Sequence, residues 1–253
     1  MEDLYSKLYD EMDEYVNIRI TNSAERKKYE LEVEHFKLKY LSELVKNLEA
    51  HSLVEIGCAV GILLNRFPIN VPFERRTGID LSKINIDYCK TNYPEMDFYC
   101  GTLSQFKKEF PERTFTISIL SDILEHVEDD VKLLKDSASI SDFVVLNLPL
   151  EKCEEFKNRI YGLNDYHGHL RAYSKSDALR LIKDANLIEV SHIEKRYVQE
   201  PVFRNYLANK LMNNGPEETK CSGVIKYINE LNHIDLYPEF YKSNYFTLLK
   251  KKN

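Results

Sequence analysis

The chain has 253 residues, of which 43% are hydrophobic and 30% charged, and its formal net charge is −6 at pH 7. This length and composition predict a soluble globular protein with one large core. The negative charge disfavours non-specific nucleic-acid binding, which depends on a basic surface. Five widely spaced cysteines include no C-x-x-C pair, so neither a zinc site nor a disulfide framework is indicated. With no secretory leader pattern and no apolar run of membrane-spanning length, we expect a cytoplasmic protein without a membrane partner.

The order of predicted elements indicates an α/β protein. The first fifty residues are predicted to be helical, with apolar side chains at helical spacing from Tyr29 to Leu48. We predict strands at 52–57, 77–80, 96–100, 114–120, 143–148, 187–198 and 244–249. The first five alternate with helices, as in a parallel sheet covered on both faces. Ser82 is a predicted N-cap, and Ser174 with Asp177 resembles a capping box.

These elements divide the chain into four predicted parts. They are an N-terminal helical extension or lid (1–50), an α/β core (51–198), a helical cap inserted before the last strand (199–243), and that strand (244–253). The predicted fold class is therefore a Rossmann-like, seven-stranded, mostly parallel sheet with helices on both faces.

The turn after the first strand, "EIGCAVG", is a candidate ligand site. Gly57, Ala59 and Gly61 are spaced two and two with no third glycine, which excludes the G-x-G-x-x-G dinucleotide pattern. The acid Glu55 just before the turn suits a ligand with an ammonium group better than a bare pyrophosphate. Asp80 ends the second strand, where an acid in nucleotide-binding α/β folds accepts hydrogen bonds from ribose hydroxyls.

A short-chain dehydrogenase is a minor alternative. The spacing Gly57-x-x-x-Gly61 matches part of the glycine turn of that class. The spacing Tyr206-x-x-x-Lys210 matches that of its catalytic tyrosine and lysine. However, the last glycine is missing, and the turn follows fifty residues of predicted helix.

The ordered set "EIGCAVG", "GIDLS", "SDILEHV" and "FVVLNLPLE" resembles class I S-adenosylmethionine-dependent methyltransferases. The later "GHLRAYSKSDALRLIKDANL" is similar to a segment common in the broad small-molecule branch of that superfamily, of the methyltransferase type 11/23-like kind. The resemblance covers about residues 50–195 and implies S-adenosylmethionine as cofactor and S-adenosylhomocysteine (SAH) as product.

The resemblance also implies cofactor contacts at matching positions. These are Glu55, Gly57, Cys58, Ala59, Gly61, Asp80, Leu81, Thr102, Leu103, Ser121, Asp122 and Ile123. Two positions depart from the family pattern. Ala59 replaces a usual glycine, which is tolerable if its φ angle is negative, and Thr102 stands where aspartate is frequent.

Candidate catalytic groups fall in two segments where this fold places substrate. In "SDILEHV", Asp122 ends a strand; Glu125 and His126 are expected to begin the next helix, where dipole and packing roles are equally plausible. In "NDYHGHLRAYS", His167 and His169 are candidate bases, because neutral histidine accepts a hydroxyl proton near pH 7. His167 is preferred, since the family pattern makes "HLR" a loop anchor. No residue is assigned to a metal, although His and Asp could bind Mg²⁺.

We therefore predict a small-molecule O-methyltransferase whose acceptor is a sugar or nucleotide-linked sugar hydroxyl. The sugar hypothesis rests on aromatic and basic residues of the cap: Arg196, Phe203, Arg204, Tyr206, Lys210, Tyr227, Tyr237, Phe240 and Tyr241. Taken residue by residue, a place in the cap's own core is the favoured role for most of these aromatics. The segment "NLPL" lacks the second proline and aromatic of the "NPPY" motif, so nucleic-acid base methylation is not expected. Alternatives are an N-methyltransferase acting on a small amine or protein, and a catalytically silent binding domain. The apolar N-terminal stripe could also support a homodimer.

Overall fold

Seven strands form one sheet in a computed structural model that describes residues 20, 24–162, 165, 167–205 and 217–252. The strands are β1 (Leu53–Ile56), β2 (Arg76–Asp80), β3 (Asp97–Cys100), β4 (Phe115–Ser121), β5 (Ser141–Leu150), β6 (Leu187–Arg196) and β7 (Ser243–Lys251). Their order is β3-β2-β1-β4-β5-β7-β6. Strands β1 to β5 pair in parallel, whereas β7 runs antiparallel between β5 and β6. The predicted seven-stranded, mostly parallel sheet is confirmed.

Helices cover both faces of the sheet. They are α1 (Ala24–Glu32), α2 (Leu38–Val45), α3 (Ile62–Arg66), α4 (Lys83–Asn92), α5 (Leu103–Glu109), α6 (Asp130–Ser139), α7 (Lys175–Asp184) and α8 (Glu217–Leu236). The predicted N-cap Ser82 accepts a hydrogen bond from the Asn85 N–H. The predicted capping box of Ser174 and Asp177 is also present at the start of α7. Of the described helices, none is long and apolar enough to cross a bilayer.

The helix after β4 begins later than predicted. Asp129 caps α6 by accepting from the Lys132 N–H, and residues Leu124–His126 instead form a 3₁₀ turn. This turn is tied to a distant loop, because the Leu170 N–H donates to the Glu125 carbonyl at 2.8 Å. The segment at 151–161, also predicted to be helical, contains only the 3₁₀ turn Glu154–Phe156.

The N-terminal helices are packed onto the sheet. A π-helical turn, Val33–Lys37, joins α1 to α2. Within this turn Phe36 is 1% exposed, and its ring makes edge-to-face contacts with Tyr197 and Phe246. Such aromatic pairs stabilise a fold by about 0.5–1.5 kcal/mol beyond their buried area. The anchored ring places the next residue, Lys37, at the carboxyl ends of the strands.

Candidate active site

The glycine turn between β1 and α3 has the left-handed backbone that its small residues permit. The φ angles of Gly57 and Gly61 are +76° and +72°. The Gly57 N–H donates to the Ile79 carbonyl at 2.8 Å, which fixes the turn to β2. A Cβ atom on Gly57 would lie 2.5 Å from Ile123 Cδ1, so both φ and space require glycine there.

Ala59 also adopts a left-handed conformation, with φ at +47°. The Ala59 methyl group was expected to be tolerated if φ were negative, and φ is positive. The conformation is held from outside, since the Ala59 N–H donates to Asp80 Oδ2 at 2.8 Å. A left-handed alanine costs about 1–2 kcal/mol relative to the right-handed form, so the turn carries strain at this residue.

Replacing Ala59 by glycine should raise the free energy of unfolding by about 0.5–1 kcal/mol, because relief of the left-handed strain exceeds glycine's extra unfolded-state entropy. Chemical denaturation measures the change. The matched control is Ala185→Gly, at a position with φ of −75°, which should destabilise the protein. If Ala59→Gly destabilised the protein as much as Ala185→Gly does, the inferred strain at Ala59 would be wrong.

Asp80 organises the turn from the end of β2. Its Oδ2 atom accepts from Ala59, and its Oδ1 atom accepts from the Ser82 N–H at 2.9 Å. The carboxylate thus links the β1 turn to the start of α4 and lies where a ribose was predicted to bind. Leu81 follows it, and its carbonyl accepts a weak bond from the Cys100 thiol.

Other predicted cofactor residues have structural partners. Thr102 caps α5 in a capping box with Gln105, which explains a threonine where aspartate is frequent. Leu103 is 3% exposed and lies in the core. The Cys58 side chain is also buried, and its pKa is raised by its bond with Cys89 and by burial. The cofactor contacts of these residues stay predictions.

A buried cluster of charges lies at the ends of β1 and β4. Glu55 is 3% exposed, its Oε2 atom has no hydrogen-bond partner, and burial raises its pKa to about 8. Lys37 Nζ lies 2.7 Å from Asp122 Oδ2, and the side chain of Lys37 is 7% exposed. The pKa of Lys37 is raised above its ordinary value because the nearby carboxylates outweigh burial. The same ion pair lowers the pKa of Asp122.

Asp122 is held rigidly in this cluster. Its φ angle is +51°, and its carboxylate accepts from Asn147 Nδ2 at 2.9 Å. The neighbouring Ser121 hydroxyl also accepts from Asn147, at 3.0 Å. A positive φ at a residue other than glycine costs about 1–3 kcal/mol and is concentrated at functional sites. An ionised, paired Asp122 is a poor general base.

The sequence analysis missed Lys37 and Asn147. A signal for Lys37 was present, since it lies four residues after Val33 and four before Leu41, on the buried stripe of the first helical segment. A lysine on such a stripe requires a partner, because burial of an unpaired charge is costly. No comparable signal marked Asn147 within its apolar strand.

Two histidines and a glutamate meet where the turn after β4 contacts the 165–171 loop. The ring centroids of His126 and His169 are 4.7 Å apart. His126 Nδ1 lies 3.1 Å from the Gly168 carbonyl, and His169 Nδ1 lies 2.9 Å from Glu151 Oε2. His126 thus packs against the loop, and its catalytic role stays a prediction. Glu125, buried beneath the rings, has a pKa raised well above its usual range by burial and by Asp122.

The loop carrying His167 is anchored by a buried ion pair. Arg159 donates to both carboxylate oxygens of Asp165, at 2.8 and 2.7 Å. Asp165 in turn accepts from the backbone N–H of His167 at 3.1 Å and of His169 at 2.8 Å. Arg171 donates to the Glu128 carbonyl, so "HLR" does anchor the loop. The side chain of His167 is exposed beside this anchor.

Part of the sequence that forms this site matches a known protein family. Residues 54–140 match the sequence model of the family described as "Methyltransferase domain". No curated protein matches the chain. The family match covers less than half of the chain. The fold is that of the class I S-adenosylmethionine-dependent methyltransferases.

Solved structures of similar fold show how varied the chemistry on this scaffold is. Magnesium protoporphyrin IX methyltransferase from Synechocystis PCC 6803, with bound SAH, is 13% identical, covers 100% of both chains and gives a TM-score of 0.63. The 4+2 cyclase SpnF is 11% identical over 99% of this chain and 97% of its own, with a TM-score of 0.60. Coclaurine N-methyltransferase, bound to N-methylheliamine and SAH, is 13% identical over 85% and 71%, with a TM-score of 0.56. At these identities the chain shares a fold with these proteins, and any acceptor must be argued from its own site.

Proposed function

We propose that the protein transfers the methyl group of S-adenosylmethionine to a hydroxyl of a small molecule. The observation that carries the proposal is the meeting of three features at one edge of the sheet. The left-handed glycine turn follows β1, the Asp80 carboxylate ends β2, and the buried side chains of Glu55 and Lys37 lie beside them. Ligands of α/β sheets bind beyond the carboxyl ends of the strands, where these features lie.

The residues present fit the cofactor's amino-acid portion. Glu55 offers a buried carboxyl oxygen without a hydrogen-bond partner, which an ammonium group would satisfy. The Lys37 ammonium, 2.7 Å from Asp122, can pair with a carboxylate that approaches the same edge. When bound, S-adenosylmethionine supplies a methyl group on a positively charged sulfur. The protein then has to orient the acceptor in line with that methyl group and exclude water.

The groups facing the acceptor side favour a polar, hydroxyl-bearing molecule. His126, His167 and His169 all lie in the turn after β4 and the adjoining loop. We propose His167 as general base, because its pKa is lowered by partial burial and by nearby Arg159, which keeps it neutral and able to accept a proton. The acceptor oxygen forms a bond to the methyl carbon, the carbon–sulfur bond breaks with its electron pair going to sulfur, and the hydroxyl proton passes to His167.

A sugar, free or nucleotide-linked, is the proposed acceptor class. Its hydroxyls match the polar histidine cluster, and Tyr237 of the proposed cap is 52% exposed and able to stack. Other cap aromatics serve the core instead, since Phe203 is 4% exposed and stacks on Tyr197. Tyr206 and Lys210 lie outside the described residues. We propose that 1–50 and 199–243 form the lid over this site, around the core assigned to 51–198 and the final strand at 244–253.

Replacing Asp80 by alanine should weaken SAH binding by about 100-fold. The change removes the proposed ribose acceptor and the carboxylate that holds the Ala59 and Ser82 N–H groups, and hydrogen bonds to charged groups contribute about 1.5–3 kcal/mol each. Isothermal titration calorimetry measures the affinity. Asp87→Ala, which removes an exposed carboxylate paired with Lys83 in α4, is the matched control and should bind SAH as the unmodified protein does. Unchanged affinity in Asp80→Ala would contradict the ribose role.

Two measurements test the proposed activity. Calorimetry with SAH comes first, because a silent domain with a degraded site would not bind it. Incubation with methyl-labelled S-adenosylmethionine and a metabolite extract then identifies the methylated atom by mass spectrometry. A methoxy product supports the proposal. An N-methyl product, or SAH binding without any labelled product, contradicts it and favours an amine acceptor or a chemistry other than methyl transfer, as in the cyclase of this fold.

A further inference from the structure

Glu125 is a buried carboxyl group whose hydrogen bonds are not made within the described part of the chain. Its side chain is 1% exposed, and neither Oε1 nor Oε2 has a hydrogen-bond partner there. Burying a polar group without such a bond costs about 1–3 kcal/mol on the scale of protein mutations. A buried group of this kind indicates a ligand that the chain itself does not provide.

The two neighbouring histidines have the tautomer that a metal ligand needs. The Gly168 carbonyl can only accept a hydrogen bond, so His126 Nδ1 carries the proton in their 3.1 Å contact. A carboxylate oxygen likewise accepts hydrogen bonds, and Glu151 Oε2 lies 2.9 Å from His169 Nδ1. In the neutral form of each ring the lone pair is therefore on Nε2. Histidine ligands of metals are generally oriented by such a bond from the other ring nitrogen to a carbonyl or carboxylate.

The three donor groups also converge in space. One potential ligand atom from each of Glu125, His126 and His169 lies within 4.8 Å of the other two, and His126 Nε2 is 4.0 Å from Glu125 Oε1. Ligands held at about 2.0–2.2 Å around a tetrahedral ion are separated by about 3.4 Å. Side-chain rotations that move the ligand atoms by about an ångström would bring the three donors to that spacing.

We propose that Glu125, His126 and His169 form a binding site for a divalent transition-metal ion, with Zn²⁺ as the best match. Two imidazole nitrogens favour Zn²⁺ over Mg²⁺, which prefers an all-oxygen shell. Two histidines and one glutamate leave a coordination position open, as in catalytic zinc sites. His167 lies close by, with its ring centroid 6.0 Å from that of His169. The role of the ion rests on the proposed function: the open position would hold the acceptor oxygen and lower the pKa of its hydroxyl.

The test is metal binding by the full chain, measured without cofactor or acceptor. Titration with ZnCl₂ should show one equivalent bound, and Co²⁺ should give the visible absorption of a low-coordinate site. Glu125→Gln, which keeps the side-chain volume, and His169→Ala should each weaken Zn²⁺ binding by more than about 100-fold. Glu151→Gln weakens the bond that orients His169 and also removes a charge paired with Arg159, and it should weaken Zn²⁺ binding by about 10- to 100-fold.

The matched control is His192→Ala. His192 also pairs with a glutamate, Glu189, at 2.7 Å, but it lies on β6 with 41% of its side chain exposed. Its loss should leave Zn²⁺ affinity unchanged. The proposal is overturned if no stoichiometric Zn²⁺ binds to the unmodified protein, if Glu125→Gln and His169→Ala bind it as tightly, or if only Mg²⁺ binds. Because these titrations use the metal alone, they can fail while SAH binding and methyl transfer succeed, and the reverse also holds.

Discussion

Replacing His167 by alanine should lower kcat by about 100- to 10,000-fold, the range that general-base assistance contributes. SAH affinity should stay within about twofold of that of the unmodified protein. The position of His167 explains why kcat should fall while SAH affinity is kept. The His167 backbone is fixed through Asp165 to Arg159, whereas its side chain is exposed on the side of the loop proposed to face the acceptor and has no part in the glycine turn. Steady-state kinetics and calorimetry on the same preparations measure the two quantities.

The pH profile gives a second readout for His167. Its pKa is lowered from the ordinary 6.5 by partial shielding of the ring from water and by nearby positive charge. The acidic limb of the kcat profile should therefore lie at a lower pH than an ordinary histidine base would give, and it should disappear in His167→Ala. His192→Ala controls for loss of an exposed histidine and should retain full kcat. A His167→Ala enzyme with unchanged kcat would rule out this base.

Replacing Lys37 by methionine should reduce the free energy of unfolding by about 3–5 kcal/mol, the usual cost of removing one partner from a buried ion pair. Methionine preserves most of the side-chain volume, so the loss reports on charge. Without the ammonium, Asp122, whose side chain is 25% exposed, loses its countercharge while it lies close to Glu125. Urea denaturation measures the change.

The free energy of unfolding lost in Lys37→Met should be larger at neutral pH than at acidic pH. In the unmodified protein Lys37 lowers the pKa of Asp122, which contributes stability above the ordinary aspartate pKa and loses it as pH falls. In Lys37→Met, burial without a countercharge raises that pKa, so ionised Asp122 destabilises the fold at neutral pH and protonation relieves the cost. The difference between the two proteins should therefore be largest near pH 7 and shrink towards pH 4.

The adjacent lysine provides the control for this experiment. Lys39 also pairs with a glutamate, Glu200, at 2.9 Å, but its side chain is 53% exposed. Exposed pairs contribute about 0–1 kcal/mol because water screens them, so Lys39→Met should cost less than about 1 kcal/mol. Similar losses in the two variants, or a Lys37→Met loss that is the same at pH 7 and pH 4, would contradict the buried-pair account.

The seven strands and their boundaries were predictable because each depends on local pattern. Apolar and β-branched runs such as 114–120 and 143–148 can be satisfied only as buried strands once turn residues bound them. Caps were equally predictable, since Ser82 and Ser174 bond to N–H groups three residues away. The helix predicted to begin at Glu125 begins instead at Asp130. The Glu125 carbonyl and the His126 ring are bonded to residues about forty positions later, so they do not join that helix.

Local sequence patterns were enough to predict the α/β class, the strand order along the chain, the glycine turn and the acid that ends β2. These features rest on contacts between near neighbours or on spacing within one motif. Which charges share a site depends instead on the complete fold. Lys37 reaches Asp122 across 85 positions of sequence, and His169 meets Glu125 and His126 across more than forty. No local pattern encodes such pairs, since the cost of burying a charge is offset by whichever partner the completed sheet brings beside it.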